Sequence, residues 1–285
     1  MELLDFKKVC EQSEIKKNCF FDGFGLMGKN VDSKGRLFFL GDKSYIKDFI
    51  QIDSAGVICT EEIYNEIRNI YNGGIAICEN PRGAFFHYYE EVSKYTKNTY
   101  ETVIPEDSYV HETAIISKSN VKIGHDVHIG SNAVVHSGVV IEDGVTIEEN
   151  CVIGCIPLYV YEYKDNIKTL STRGLTIISK GAHIHIGSMI DSGIFDYPTI
   201  VGKSTTIGGM SLIGHNSIIG DNCMLGGRNI TGGWVNISNE VYSGISATYA
   251  PNVEIGENAY ICAGSVVLKN VKDGDKVMGN PARKV

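Results

Sequence analysis

Three observations on this 285-residue chain predict a mainly β fold, a parallel β-helix preceded by a small α/β domain. Aliphatic residues recur every six positions through much of the chain, smaller residues recur two positions before them, and the first hundred residues follow a different, alternating pattern. The step of six runs Ile123, Ile129, Val135, Ile141, Ile147, Ile153, with Ile115, Val121, Val127, Ala133, Val139, Val145 and Cys151 as the companion series. From Val201 the same step reaches Val267, with aliphatics at nine of its twelve positions, and companions such as Thr205, Ser211, Ser217, Ala247 and Ala259 are mostly small. A period of six fits neither an α-helix at 3.6 nor a plain strand at 2. It fits short strands separated by tight turns, and three such hexads close one triangular coil whose strands stack in parallel with those of neighbouring coils. Glycine often follows the aliphatic, as at Gly202, Gly208, Gly214 and Gly220, where a crowded corner or a positive φ would favour it.

The β-helix should occupy residues 103–271, with an insertion at about 156–180 where the hexad fails and tyrosines and charges accumulate. Such an excursion often builds one wall of a site. Residues 1–102 alternate candidate strands at 36–40, 55–60 and 74–80 with helix-like stretches at 43–52, 61–71 and 84–95, which reads as an α/β domain. Residues 272–285 form a basic C-terminal tail.

Composition narrows the function. The formal net charge is −8 and no run of Lys or Arg reverses it locally, so nucleic acid is not an expected partner. No apolar run approaches the ~18 residues of a membrane span, and the first residues lack the form of a signal peptide. Eight cysteines without a CxxC pair read as free thiols of a cytoplasmic protein, Cys151 and Cys223 as packing residues.

The hexad pattern resembles the left-handed β-helices of hexapeptide-repeat acyltransferases. Phe39-Leu40-Gly41-Asp42-Lys43-Ser44-Tyr45, Ala55-Gly56-Val57-Ile58 and Glu79-Asn80-Pro81-Arg82-Gly83-Ala84-Phe85 resemble the UDP-3-O-acylglucosamine N-acyltransferases of lipid A synthesis. That resemblance implies a small domain holding the nucleotide, with Phe39 as the aromatic that stacks on the base and Asp42 where the family carries an Asn. Ile186 to Gly193, which contains Asp191, and Ile213-Gly214-His215-Asn216 resemble the same family's central region. The resemblance implies His215 as general base, with Asp191 and Asn216 beside the substrate. The hexad frame independently turns His215 outward, two residues after the inward Ile213. Neutral imidazole near pH 7 suits deprotonation of an attacking amine or hydroxyl, and a turn amide suits the oxyanion.

The chain departs from that family in three places. Gly208-Gly209 replace an Asp-Asn pair, Gly233-Trp234 stand where a second histidine is expected, and the C-terminal helices associated with acyl carrier protein are missing. The ending, from Ile261 through Gly264 to Gly279-Asn280-Pro281-Ala282-Arg283, instead resembles CoA-dependent acetyltransferases of amino-sugar and sialic acid pathways. This implies donor contacts from Gly233, Trp234, Gly264, Lys269, Asn280 and Arg283. The expectation is a cytoplasmic homotrimer that moves acetyl from acetyl-CoA to an amine of a nucleotide-linked amino sugar, with no bound cofactor. The alternatives are a longer acyl chain delivered by acyl carrier protein, or a non-catalytic nucleotide-sugar-binding protein. His125, His128, His136, His183 and His185 could suggest a zinc carbonic anhydrase, but they lack that family's pair of histidines about five residues apart, and no metal site is expected.

Overall fold

The computed structural model describes residues 4–9, 13–28, 33–95, 99–171 and 174–285, so Cys10 and residues 172–173 lie outside the described residues. The chain divides into two compact units, Met1–Lys97 with Leu158–Thr172, and Asn98–Pro157 with Arg173–Val285.

In the first unit a five-stranded sheet runs in the order Glu14–Lys17, Gly74–Ile77, Gly56–Cys59, Arg36–Leu40, Gly23–Phe24. All neighbours are parallel except the antiparallel edge strand Glu14–Lys17. Gly56–Cys59 and Gly74–Ile77 are buried along their whole length, which is why they read as continuous apolar runs. Thr60 caps the helix Glu61–Ile67, whose first turn carries Glu61 and Glu62 on the favourable end of its dipole. The longest helix, Pro81–Tyr95, starts where proline is best tolerated, and the Asn80 side chain accepts the Gly83 N–H at 2.8 Å.

The excursion expected over 156–180 is an antiparallel hairpin, Val160–Tyr163 with Asn166–Thr169, that groups with the α/β unit rather than with the β-helix. Its two-residue loop places Lys164 and Asp165 at φ 51° and 58°, the left-handed pair whose twist matches a hairpin. Asn80 donates to the Glu162 carbonyl at 3.0 Å and Arg82 to the Val160 carbonyl at 2.9 Å. Gly83 is required by this docking, because a Cβ there would meet the Glu162 carbonyl oxygen at 2.0 Å. Glu90 accepts bonds from the Tyr161 hydroxyl and from the Ser171 amide and hydroxyl. Burial opposes ionisation of Glu90, yet these donors hold it below the usual carboxylate range.

The second unit is a parallel β-helix whose three faces are sheets of seven, ten and eight strands. Ile129, Val135, Ile141, Ile147 and Ile153, and every sixth residue from Val201 to Val267, are at most 2% exposed. Each fully buried Ile contributes about 1.5–3 kcal/mol. The polar members of that series are paired inside: Tyr249 donates to the Ser243 hydroxyl at 2.6 Å, and Ser243 to the Asn229 carbonyl at 2.5 Å. Asn229 in turn donates to the carbonyls of Gly226 and Gly244, so the buried network is satisfied.

The structure corrects four details of the repeat. Ile115 points outward and is 65% exposed, because the turn before Val121–Ile123 holds one extra residue and Ile116 takes the inward place. The hexad resumes at Ile178, Ile184 and Ile190, all fully buried, and not first at Val201. A second, shorter excursion then separates Ile190 from Val201, visible in the 23-residue register step from Met189 to Leu212 where neighbouring coils step 18. Finally, residues 272–285 are not a tail. Lys276–Met278 extends the ten-stranded sheet with Val277 in the core, and Arg283–Lys284 pairs back against it.

Gly202, Gly208, Gly214 and Gly220 respond to crowding and not to φ, whereas Gly154, after Ile153, holds φ 80°. A Cβ on Gly208 would lie 2.5 Å from the Gly226 carbonyl carbon of the next coil, and one on Gly214 would lie 2.7 Å from the Thr231 carbonyl oxygen. The positive φ falls two residues later, at Met210, Asn216, Asn222, Arg228 and Trp234.

Candidate active site

His215 sits at a corner of the β-helix, just past the strand Leu212–Ile213, with its ring half-buried. The next residue, Asn216, is 4% exposed and adopts φ 57°, a conformation that Asn tolerates better than most side chains. Its amide nitrogen donates to the carbonyls of Ile194 at 3.3 Å and Tyr197 at 2.6 Å. Two carbonyls facing one end of the amide leave no choice about its orientation, so Oδ1 is the end that faces His215. His215 Nδ1 lies 2.9 Å from that oxygen and must be the protonated nitrogen. The tautomer is thereby set with the lone pair on Nε2, as a general base requires.

Nε2 lies over Gly233 of the following coil. A Cβ at that glycine would come within 2.3 Å of Nε2 and 2.5 Å of Cε1, so only glycine admits the ring in this place. The Trp234 amide donates to the His215 carbonyl at 2.8 Å, while no described group accepts the Gly233 N–H. Trp234 itself holds φ 63°, a strained conformation for so bulky a residue. Its ring stands edge-on to the imidazole at 6.4 Å and tilts against Tyr197 at 5.7 Å.

Asp191 ends the strand Met189–Asp191 and accepts the backbone N–H of His215. Burial pushes its carboxyl up to about 7, only partly offset by that hydrogen bond. Asp191, His215, Gly233 and Trp234 are therefore assembled in one place. Asn216, expected beside substrate, instead commits its amide to His215 and to the 194–197 segment. It fixes the orientation of the His215 ring.

The remaining expected residues fall elsewhere. Lys269 shares the corner of His215 three coils on, through the paired strands at 212, 230, 248 and 266, a separation of about 14 Å at ~4.8 Å per coil. Gly264 lies on a different corner, the one that carries Met210, Arg228 and Ser246, and is open around its Cα. Gly279 accepts from the Val266 amide and Ala282 donates to the Val266 carbonyl, which lays Asn280 across the end of the eight-stranded sheet. Arg283 is exposed and bonds the neighbouring Ala282 carbonyl. In the α/β unit Phe38 is buried against Phe49, whereas Phe39 faces the other side, half-exposed, with its ring 5.1 Å from Phe85 and 6.2 Å from Phe86. Asp42 is exposed and spends one oxygen on the Ser44 amide at 2.8 Å, capping a short turn, and that bond keeps its carboxyl below the usual range.

Sequence reasoning missed Tyr197 and Ile194. Their signal was the eleven-residue gap between the inward Ile190 and Val201. The seven described cysteines are all free, and Cys151 and Cys223 are buried inside the coils. No described helix is long and apolar enough to cross a membrane.

Comparison with known proteins bears on the repeats and the fold. The bacterial transferase hexapeptide model, of six repeats, matches residues 120–155, and the hexapeptide repeat of succinyl-transferase matches residues 216–233, which include His215's partner Asn216 and Gly233. These two segments of the β-helix match transferase hexapeptide repeats. A putative acetyltransferase, YvoF of Bacillus subtilis, is 47% identical over 51 residues, 18% of this chain and 30% of that protein. The match thus spans less than a third of that relative's length. The UDP-N-acetylglucosamine acyltransferase from Campylobacter jejuni superposes with a TM-score of 0.50 at 22% identity, covering 62% of this chain and 74% of that one. The corresponding structure from Bacteroides fragilis gives 0.49 at 22% identity over 64% and 74%. The shared fold is the left-handed parallel β-helix.

Proposed function

We propose that this protein is an acyltransferase that moves acetyl from acetyl-CoA to an amine of a nucleotide-linked amino sugar, with His215 as general base. The observation that carries this reading is the fixed tautomer of His215, whose Nε2 lone pair is presented over Gly233 by the Asn216 amide. The neutral amine attacks the thioester carbonyl and a C–N bond forms while Nε2 takes the amine proton. The Gly233 N–H, committed to no described acceptor, stabilises the oxyanion. Collapse breaks the C–S bond, and the imidazolium returns the proton to the departing CoA thiolate. No metal and no covalent enzyme intermediate are needed.

Trp234 favours a short acyl group, since its ring stands beside the base where a long chain would have to pass. Lys269, about 14 Å along the same corner, suits a phosphate at the far end of a pantetheine arm. Arg283 and the Asn280 turn extend the same end of the coil as further donor contacts. In the α/β unit the half-exposed ring of Phe39 is the surface for a nucleobase, with the exposed Asp42 carboxylate as an acceptor for a hydroxyl or amine donor. Ile115, Val134, Met189, Leu212 and Ile230 form an outward apolar column along the eight-stranded sheet, which supports a homotrimer that covers it.

Mass spectrometry of UDP- and GDP-linked amino sugars incubated with acetyl-CoA tests the reading. The expected result is a gain of one acetyl group, reduced roughly 10²–10⁴-fold by His215→Ala. Transfer that needs acyl carrier protein, or transfer undiminished in His215→Ala, would reject the donor or the base respectively. Binding of a nucleotide sugar without turnover of any donor would make this a binding protein.

A further inference from the structure

Outside the candidate active site, three side chains with metal-ligating atoms converge on the outer face of the ten-stranded sheet. Glu148 follows the strand Thr146–Ile147, and His183 and His185 flank Ile184 on the next coil, which pairs directly with it. Glu148 Oε1 lies 2.8 Å from His183 Nε2 and 3.0 Å from His185 Nδ1. One ligand atom from each lies within 4.8 Å of the other two. The imidazoles are parallel, with centroids 4.1 Å apart and planes 9° from one another. The second carboxylate oxygen is held by the Ile186 amide at 2.9 Å, which sets the plane of the carboxylate.

We propose that Glu148, His183 and His185 form a binding site for a divalent first-row transition metal. Two imidazoles and one carboxylate on one side of a point make the facial ligand set that such metals accept, with the remaining positions left to water. A six-coordinate metal with bonds of ~2.1 Å spaces adjacent ligands about 3.0 Å apart, and a tetrahedral one spaces them about 3.4 Å apart. The observed 2.8 and 3.0 Å between the carboxylate and each imidazole approach the first value, and the two stacked rings must turn about their side-chain bonds to aim both nitrogens at one point. Each histidine presents the metal-facing nitrogen after its proton moves to the other ring nitrogen. Solvent can carry that exchange because the side chains are 38% and 37% exposed. The Ile186 N–H acts as the outer-shell donor that orients the ligating carboxylate.

The position suggests what the metal does. Thr146 and His183 are neighbours across the sheet but lie 37 residues apart in sequence, where regular coils step 18, because the chain between them leaves to form the 160–169 hairpin. A metal held by Glu148 on one side and the two histidines on the other clips together the ends of this long coil. Closing a long loop is where a crosslink constrains the unfolded chain most.

Full-length protein stripped with a chelator and dialysed should bind one equivalent of Zn2+ per chain in calorimetric titration, and its melting temperature should rise by several degrees. Both effects should vanish in His183→Ala/His185→Ala and weaken at least tenfold in Glu148→Gln. In the unmodified protein, Co2+ should show visible d–d bands displaced from those of the aqueous ion, a readout that does not depend on any variant folding. Substoichiometric Zn2+ binding, binding retained in the double histidine variant, or an aquo-like Co2+ spectrum would each overturn the proposal.

Discussion

Gly233→Ala isolates the geometry on which the proposed mechanism depends. The φ of Gly233 lies outside the left-handed region, so alanine is compatible with its backbone and the perturbation is the methyl group alone. That methyl would stand 2.3 Å from His215 Nε2, whereas ordinary contacts begin near 3.4 Å, so the imidazole must retreat by about 1 Å. The ring cannot do so and keep its bond to Asn216, because Asn216 is itself held by Ile194 and Tyr197. A misplacement of about 1 Å at the reacting atoms lowers rate by roughly 100-fold, or ~2.7 kcal/mol in the barrier. The expected result is a drop of that size in kcat/KM for acetyl transfer, followed by release of the CoA thiol. The melting temperature should change little, since the methyl meets a half-exposed ring and not the coil interior. A variant within threefold of the parent kcat/KM would refute the placement of the base at Nε2. Equal loss of stability and activity would show that Gly233 serves the fold.

Two further outcomes test other parts of the structure. Burial raises the Asp191 carboxyl from 3.8 to about 7, so the folded protein holds this proton where the unfolded chain has lost it. The group therefore stabilises the fold least at high pH, and stability should fall as pH rises from about 4 to 7, by at most about 4 kcal/mol. Asp191→Asn should flatten that fall in melting temperature against pH, and an unchanged slope would show that the carboxyl is not protonated in the fold. Tyr161→Phe removes one of three hydrogen bonds to Glu90 and should cost about 1 kcal/mol. Limited proteolysis should cut this variant faster within residues 158–171, and unchanged protection would show that the Tyr161–Glu90 bond does not hold the hairpin.

The period of six was visible in the sequence because most inward positions are filled by aliphatics of similar volume. A triangular coil offers the same small interior at every turn, and from Val201 onward neither substitution by Thr231 and Ser243 nor by Tyr249 breaks the register. The alternating elements of the α/β unit were legible for a similar reason, since Gly56–Cys59 and Gly74–Ile77 are buried on both faces. His215 was found through its motif and its outward frame. What it bonds to was not. Asn216 carries the same letters whether it meets substrate or a backbone, and only the fold brings the Ile194 and Tyr197 carbonyls to its amide. The ends of the excursion were likewise hidden, because Glu90 lies 71 residues from Tyr161 and 81 from Ser171. Glu148 escaped notice beside His183 and His185 for the same physical reason. In a coil with a long projection, the nearest neighbour across the sheet is far away along the chain, and local patterns in sequence record what a residue faces inward, not what stands next to it outside.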